Sequence, residues 1–496
     1  MPPAQARSAP GGDIASAPVA GSLAVPNPSQ LMVLACAVCA FVAAAFAPQM
    51  LWDGDTLWHL ATGQWMLDHH QIASADPFSY TVSGKPWTNL EWLSEIVMAP
   101  AYAAAGWSGL QLLFALALGV LTWILGSELS RKLPPFSCVA ALFLALACTT
   151  QSWLARPHLL ALPFLAVWTV QLLRAREAGR APPWLMLPLM TLWANLHGSF
   201  LFGLALIGPF ALEAVLESVP GDRIKAIRAW GLFGLLATVA AMITPHGVQT
   251  LIYPIRIMMM TNLQDITEWK PSDFGRVTPL ELALLTGLFA LLYRGVKVPI
   301  LRLITLLGLL HLTLHETRHQ MVLAVAGALI LAEPLGRALE GDGAAFRLPK
   351  LSAAARTGVL AVIVLVFAGA AAARLAIPAH LTEGQTAPIA ALAHVPAALR
   401  QQPVLNEYGM GGYLIFNQVR PFIDGRADMY GNDFVDGYIK AVKPDPARLK
   451  ALLARYQVRW TILRAENPAV AAMDALPGWK RLYADKSAVV FVKVGG

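Results

Sequence analysis

Apolar runs close to the length of a bilayer crossing recur from residue 31 to residue 375, separated by short polar loops. They predict spans over 31–49, 106–127, 136–152, 158–173, 183–195, 199–217, 229–244, 279–293, 299–314, 320–336 and 357–375, about eleven crossings in all. The fifth is short and contains Pro188, which is tolerable where protein rather than lipid surrounds the helix. Ahead of them, residues 1–28 are rich in Pro, Ala, Gly and Ser and read as a disordered tail. The first run has small residues from Ala43 to Ala47 that would suit signal cleavage. Its length and the scant positive charge before it favour an uncleaved span. Residues 29–378 thus form a membrane module with outer loops at 50–105 and 245–278, and residues 379–496 form a separate C-terminal domain.

That C-terminal domain alternates short apolar runs with turns and helical spacing, which predicts an α/β unit. Val404-Leu405-Asn406, Tyr413 to Phe416, Pro421 to Asp424, Trp460 to Leu463 and Val489 to Val492 read as strands. Pro446 to Tyr456 has Leu449, Leu452, Leu453 and Tyr456 on one helical face. Gly409-Met410-Gly411-Gly412 lacks the spacing of a phosphate-binding loop and serves a turn.

The chain is 56% hydrophobic and 14% charged, whereas soluble proteins carry about 25% charged residues. A net charge of +7 would ordinarily suggest a polyanionic partner. Here the cations sit in alternate short loops: Arg131 and Lys132; Arg174, Arg176 and Arg180; Arg223, Lys225 and Arg228; Arg294 and Lys297; Arg337, Arg347, Lys350 and Arg356. This is the positive-inside pattern, so no nucleic-acid partner is expected, the N-terminus is cytoplasmic and the C-terminal domain lies outside. Cys36, Cys39, Cys138 and Cys148 all fall inside apolar runs, where cysteine acts as a small apolar residue.

The outer side collects the reactive side chains. All of the 11 histidines except His311 fall there or at its boundary, and ionisable groups at membrane depth are usually functional. The first outer loop opens with Asp53-Gly54-Asp55, continuing to His59. Two carboxylates at that spacing share a face and suit a divalent cation, Mg or Mn, or general-base chemistry. Equally, Asp55 suits the cap of a helix that starts near Thr56. Helices are expected over 56–68 and 88–104, with Trp52, Trp58, Trp65, Trp87, Trp92 and Trp107 as interfacial anchors. Glu91, flanked by aromatics, is either a site member or an exposed helix residue.

An acidic motif directly after the first span, followed by a long loop of surface helices, resembles the GT-C glycosyltransferases. The stretches 53–63, Ala194-Asn195-Leu196-His197-Gly198 and 422–431 more narrowly resemble a group of bacterial GT-C-like membrane proteins. The adjacent Asp-Glu pair of protein mannosyltransferases and the Trp-Trp-Asp-Tyr-Gly signature of oligosaccharyltransferases are absent. The resemblance implies a polytopic α-helical membrane protein with a C-terminal periplasmic α/β domain, in a bacterial cytoplasmic (inner) membrane. It further implies inverting transfer of a sugar from a polyprenyl-phosphate carrier to an acceptor hydroxyl on a glycan, lipid or protein. Asp53, Asp55 and Glu91 are then the catalytic candidates, with Asp53 and Asp55 as metal candidates. His59, Arg156, His158, Asn195, His197, His246, Glu268, Arg318 and His319 are candidate substrate contacts. Several of these groups equally suit lipid headgroups or structural pairing.

Two other classes stand beside this one. A transporter or flippase for lipid-linked glycans would show ionisable groups along mid-span and internal repeats, and neither is evident. A non-catalytic envelope assembly protein would use its outer domain to bind a glycan or partner. Asp424-Gly425-Arg426-Ala427-Asp428 fits either ligand binding at a strand end or an internal Arg–carboxylate clasp.

Overall fold

Each predicted span coincides with an apolar helix in a computed structural model, which describes residues 25–260, 267–340, 348–443 and 445–494. Residues 1–24 of the expected tail, and Arg347, lie outside the described residues. Eight helices are long and apolar enough to cross a membrane: α1 (Pro28–Ala45), α3 (Trp92–Lys132), α4 (Pro135–Thr149), α5 (Pro157–Glu177), α7 (Phe200–Glu217), α8 (Arg223–Ala241), α12 (Gln320–Leu339) and α13 (Ala353–Ala376), some extended by a short 3-10 turn. Three shorter apolar helices complete the set: α6 (Met186–Leu196), α10 (Pro279–Tyr293) and α11 (Ile300–His315). The chain is a polytopic helical membrane protein. Trp168, Trp193, Phe114, Phe200 and Phe233 are fully buried in the middle of the bundle.

The first outer loop forms α2 (Asp55–His69) and the start of α3, close to expectation. Helix α3 begins four residues later than predicted, because the Asn89 side chain accepts the Glu91 N–H at 3.2 Å and closes a turn. Its surface portion is separated from the span by non-helical residues Ala105 and Gly106. Helices α2 and α3 cross closely at Gly63, where a Cβ would stand 2.1 Å from the Glu95 carbonyl oxygen. Only glycine permits that approach, and it sets His59, one turn before Gly63, against the Glu95 side chain.

The C-terminal domain carries a four-stranded sheet in the order β1 (Val404–Asn406), β2 (Trp460–Arg464), β4 (Ala488–Lys493), β3 (Trp479–Ala484). Strands β1 and β2 are parallel, and the remaining pairs are antiparallel. Two predicted strands are corrected. Residues Gly411–Phe416 form a helix, and Pro421 to Asp424 is irregular. A short, fully buried apolar run does not separate helix from strand by periodicity. Pro446–Arg455 is helical as expected.

The outer loop and this domain share one apolar core. Trp58, Met66 and Trp87 pack with Leu405, Ile415, Phe422 and Ile423. Trp58 and Trp87 are therefore core residues rather than headgroup anchors, whereas Trp52 is 56% exposed. The 245–278 loop contains a helix, α9 (Gln249–Met258), that the sequence reading leaves unassigned.

Candidate functional site

Arg156 is the hub. Pro157 disfavours helical geometry in the residue before it, and Arg156 is extended (φ −125°, ψ 154°) at the cap of α5. The Ala155 N–H donates to the Met50 carbonyl at 2.8 Å, bringing the end of the first span beside Arg156. Its guanidinium then meets Asp53 at 3.3 Å, Asp55 at 3.1 Å and Glu268 at 2.7 Å. Asp53 also accepts the Asp55 backbone N–H at 2.7 Å, so a tight turn places both carboxylates on one side. Asp55 is the first helical residue and does not cap the helix; its second oxygen accepts the Trp58 indole N–H at 3.0 Å. Gly425 of the C-terminal domain closes over it, and a Cβ there would stand 1.9 Å from the Asp55 Oδ1.

Glu91 forms the second focus. His197 Nε2 lies 3.2 Å from one Glu91 oxygen and His59 Nε2 lies 3.5 Å from the other. His59 Nδ1 pairs with Glu95 at 2.9 Å, and Glu95 also accepts the Asn89 amide at 2.5 Å. Arg156, Arg318, Asp428 and Asp55 act electrostatically on Glu91, which links the two foci into one cluster of charged groups, here called the chamber.

Burial decides the protonation of these groups. It pushes the Asp55 carboxyl up to about 7, although Arg156 pulls the other way. Glu91 is likewise lifted by burial to about 7. Burial also works to raise Glu268, but Arg156 and Arg318 overcome it and hold that carboxyl at about 2. His59 and His197 are driven well below the usual imidazole range by burial, with nearby cations adding to the effect, and are neutral. Asp428 is raised by burial.

The remaining predicted contacts divide. His158 faces His197 edge to face, with ring centroids 6.2 Å apart, and bonds the Ser152 carbonyl. Arg318 lies over the Trp269 ring at 4.0 Å, next to Glu268. His246 holds the Asn89 carbonyl at 2.9 Å and so supports the turn before Glu91. Asn195 is a joint: its carbonyl accepts the Trp92 indole N–H and its amide donates to Thr191 and Ile243. His319 turns into the bundle against Phe202 and Leu312.

Sequence reading misses Glu95, Asn89, Trp58, Tyr253 and the role of Arg426. Glu95 stands four residues after Glu91 and near one helical face with it, a spacing that would have flagged it. Arg426 grips Asp424 with two bonds of 2.7 Å and reaches Asp76 at 2.9 Å, against the Trp87 and Phe78 rings. The clasp thus fastens the C-terminal domain to the first outer loop. Asp428, beyond it, accepts the Tyr253 hydroxyl of α9 at 2.6 Å.

Hard carboxylate donors suit Mg or Mn. As arranged, however, the Arg156 guanidinium fills the place between Asp53, Asp55 and Glu268 where an ion would sit. Among the described residues no group of three His, Cys, Asp or Glu side chains is disposed to hold a metal.

No protein-family model and no curated protein matches the chain. Solved structures do. The Archaeoglobus fulgidus oligosaccharyltransferase in its apo form matches with a TM-score of 0.54 and 13% identity, over 87% of this chain and 69% of that one. The same enzyme tethered to an acceptor peptide gives 0.52 and 12%, over 94% of this chain and 74% of that one. The mycobacterial arabinofuranosyltransferase AftD gives 0.50 and 15%, over 95% of this chain and 40% of that one. With its apolar helices, its outer-loop helices and its C-terminal domain, the chain has the fold of the GT-C membrane glycosyltransferases.

Proposed function

We propose that the protein is a membrane glycosyltransferase that moves a sugar from a polyprenyl-phosphate carrier to an acceptor hydroxyl on the outer face of a bacterial cytoplasmic membrane. The observation that carries this reading is the convergence of Asp53, Asp55 and Glu268 on Arg156, with Glu91 in the same chamber. In the reaction the acceptor oxygen attacks the anomeric carbon as the bond to the phosphate oxygen breaks. The proton passes to a carboxylate, and the leaving phosphate gains negative charge that cations must meet. Arg156 and Arg318 are the cations that act on Glu91, and a guanidinium binds phosphate in bidentate fashion. A donor phosphate would compete with Glu268 for Arg156. The fold is shared with enzymes described as oligosaccharyl- and arabinofuranosyltransferases, which supports sugar transfer without naming this acceptor.

Donor recognition is tested by binding polyprenyl phosphate to the purified full-length protein, read by native mass spectrometry. Arg156→Ala is expected to lose most of the bound lipid phosphate relative to the parent. Equal retention by both proteins would remove Arg156 from donor recognition and with it the proposed polarity of the site.

A further inference from the structure

Glu91 lies between two imidazoles, and one of them leads away from the chamber. His197 Nδ1 accepts the Ser199 N–H at 3.1 Å, which places the proton of the neutral ring on Nε2, facing Glu91. His59 is different. Its Nε2, 3.5 Å from Glu91, has no hydrogen-bond partner of ordinary geometry, while its Nδ1 is engaged by Glu95 at 2.9 Å. His59 is 1% exposed and Glu95 0%. The line Glu91, His59, Glu95, Asn89 therefore runs from the chamber to a dead end between α2 and α3. Glu95 touches nothing a substrate could reach. A buried carboxylate–imidazole pair gains little stability over an apolar pair, so its presence calls for another use.

We propose that Glu95 and His59 form a proton-accepting dyad behind Glu91, making Glu91 the base of the transfer and His59 the store for its proton. This rests on the transferase reading above. The acceptor O–H bond breaks as an O–H bond forms on Glu91. That bond then breaks as an N–H bond forms at His59 Nε2, restoring the Glu91 carboxylate and leaving an imidazolium between two carboxylates. The proton returns through Glu91 to water or departing phosphate after product release. Glu95 is a positioning residue: by accepting the Nδ1–H it aims the Nε2 lone pair at Glu91, and Asn89 holds Glu95 in turn.

The geometry also separates the competing carboxylates. Asp55 has one oxygen on the Trp58 indole and the other on Arg156, so both of its oxygens are already engaged. Glu91 instead lies beside two neutral imidazoles, 3.2 Å from His197 Nε2 and 3.5 Å from His59 Nε2. Glu91 also faces Arg156, Arg318, Asp428 and Asp55, and His59 faces Arg156, His197, His158 and Arg426. Burial first, and then the arginines, oppose an imidazolium at His59, and burial also raises the Glu95 carboxyl; an anionic donor phosphate beside Arg156 would offset the arginines' share.

The test has two arms on full-length protein. Nitrogen-15 NMR of labelled histidines, with His59→Gln as the assignment control, is expected to show the Nδ1–H tautomer for His59. An Nε2–H tautomer would overturn the dyad, and this arm needs no folded Glu95 variant. In transfer assays with labelled polyprenyl-phosphate sugars, Glu95→Gln is expected to lower kcat by about 100-fold. KM would stay near the parent value, the acid limb of the kcat–pH profile would move, and Glu95→Asp would restore part of the rate. An unchanged profile in a transferring protein would sink the relay alone. Absence of transfer by the parent protein would sink the transferase reading and the relay together.

Discussion

The same helices carry an ionic cluster at each end, and the two clusters are built differently. On the face opposite the chamber, Arg302 of α11 grips Glu213 of α7 with bonds of 3.0 and 2.8 Å and reaches Glu333 of α12 at 3.4 Å. Arg176 meets Glu213 and Glu217, and Arg337 meets Glu333. A cavity of about 270 Å³ lies among them, lined by four cations (Arg176, Lys297, Arg302, Arg337) and four carboxylates (Glu177, Glu213, Glu217, Glu333). Charge is balanced there and the carboxylates are gripped by cations, which is the arrangement of a clamp. In the chamber, Asp53, Asp55, Glu91, Glu268 and Asp428 outnumber Arg156 and Arg318. One guanidinium is shared by three carboxylates, and burial raises Asp55, Glu91 and Asp428 toward their protonated forms. An unbalanced cluster is poised to exchange protons and anions, and a balanced one is not.

The largest effect that would break this comparison belongs to the clamp. Arg302→Ala leaves Glu213 buried without its main partner, and about 3–5 kcal/mol of stability is expected to go. Thermal unfolding in detergent checks the loss, while transfer per folded molecule should be unchanged. Next comes Arg156→Ala, expected to cut transfer by about 10²–10³-fold with the fold retained. Arg156→Lys should not restore it, because an ammonium does not reproduce the fork shared by Asp53, Asp55 and Glu268.

The pH response sharpens the contrast further. Asp55 and Glu91 titrate near 7, so transfer should rise with pH through about 7 and then level. Stability has the opposite sign. A carboxyl raised in the folded state contributes most below its unfolded value, near 4, and that contribution is lost as pH climbs through 7. Glu268, held at about 2, contributes above 4.5 and is lost as pH falls toward 2. The smallest effect is at the edge of the chamber. Tyr253→Phe removes the bond to Asp428 and should cost about 1 kcal/mol. Hydrogen exchange confined to α9 would register it.

Much of the frame is legible in the chain. Apolar run length gives the helices, including a fifth segment that proves to be the 11-residue α6. Arg176, Lys297 and Arg337, read only as loop cations, are three of the clamp's four cations. Of its four carboxylates, Glu213 and Glu333 lie inside apolar helices and have no local signal. Within the chamber, Asp53, Asp55 and Arg156 are visible because each sits in a polar break at the end of an apolar span. Glu95 is hidden because α3 carries it into the core, and its pairing with His59 depends on the Gly63 crossing, a contact between helices. Tyr413 to Phe416 reads as a strand because burial of Tyr413, Leu414 and Ile415 in succession erases the alternation that separates strand from helix.

The chamber's role is tested most directly by sugar transfer from a labelled polyprenyl-phosphate donor, comparing the parent with Glu91→Gln, Asp55→Asn and the opposite-face variant Arg337→Ala in the same membrane mimic. A catalytic role for the chamber predicts that Arg337→Ala transfers at the parent rate while Glu91→Gln and Asp55→Asn lose at least about 100-fold. Full transfer by Glu91→Gln and Asp55→Asn would contradict it.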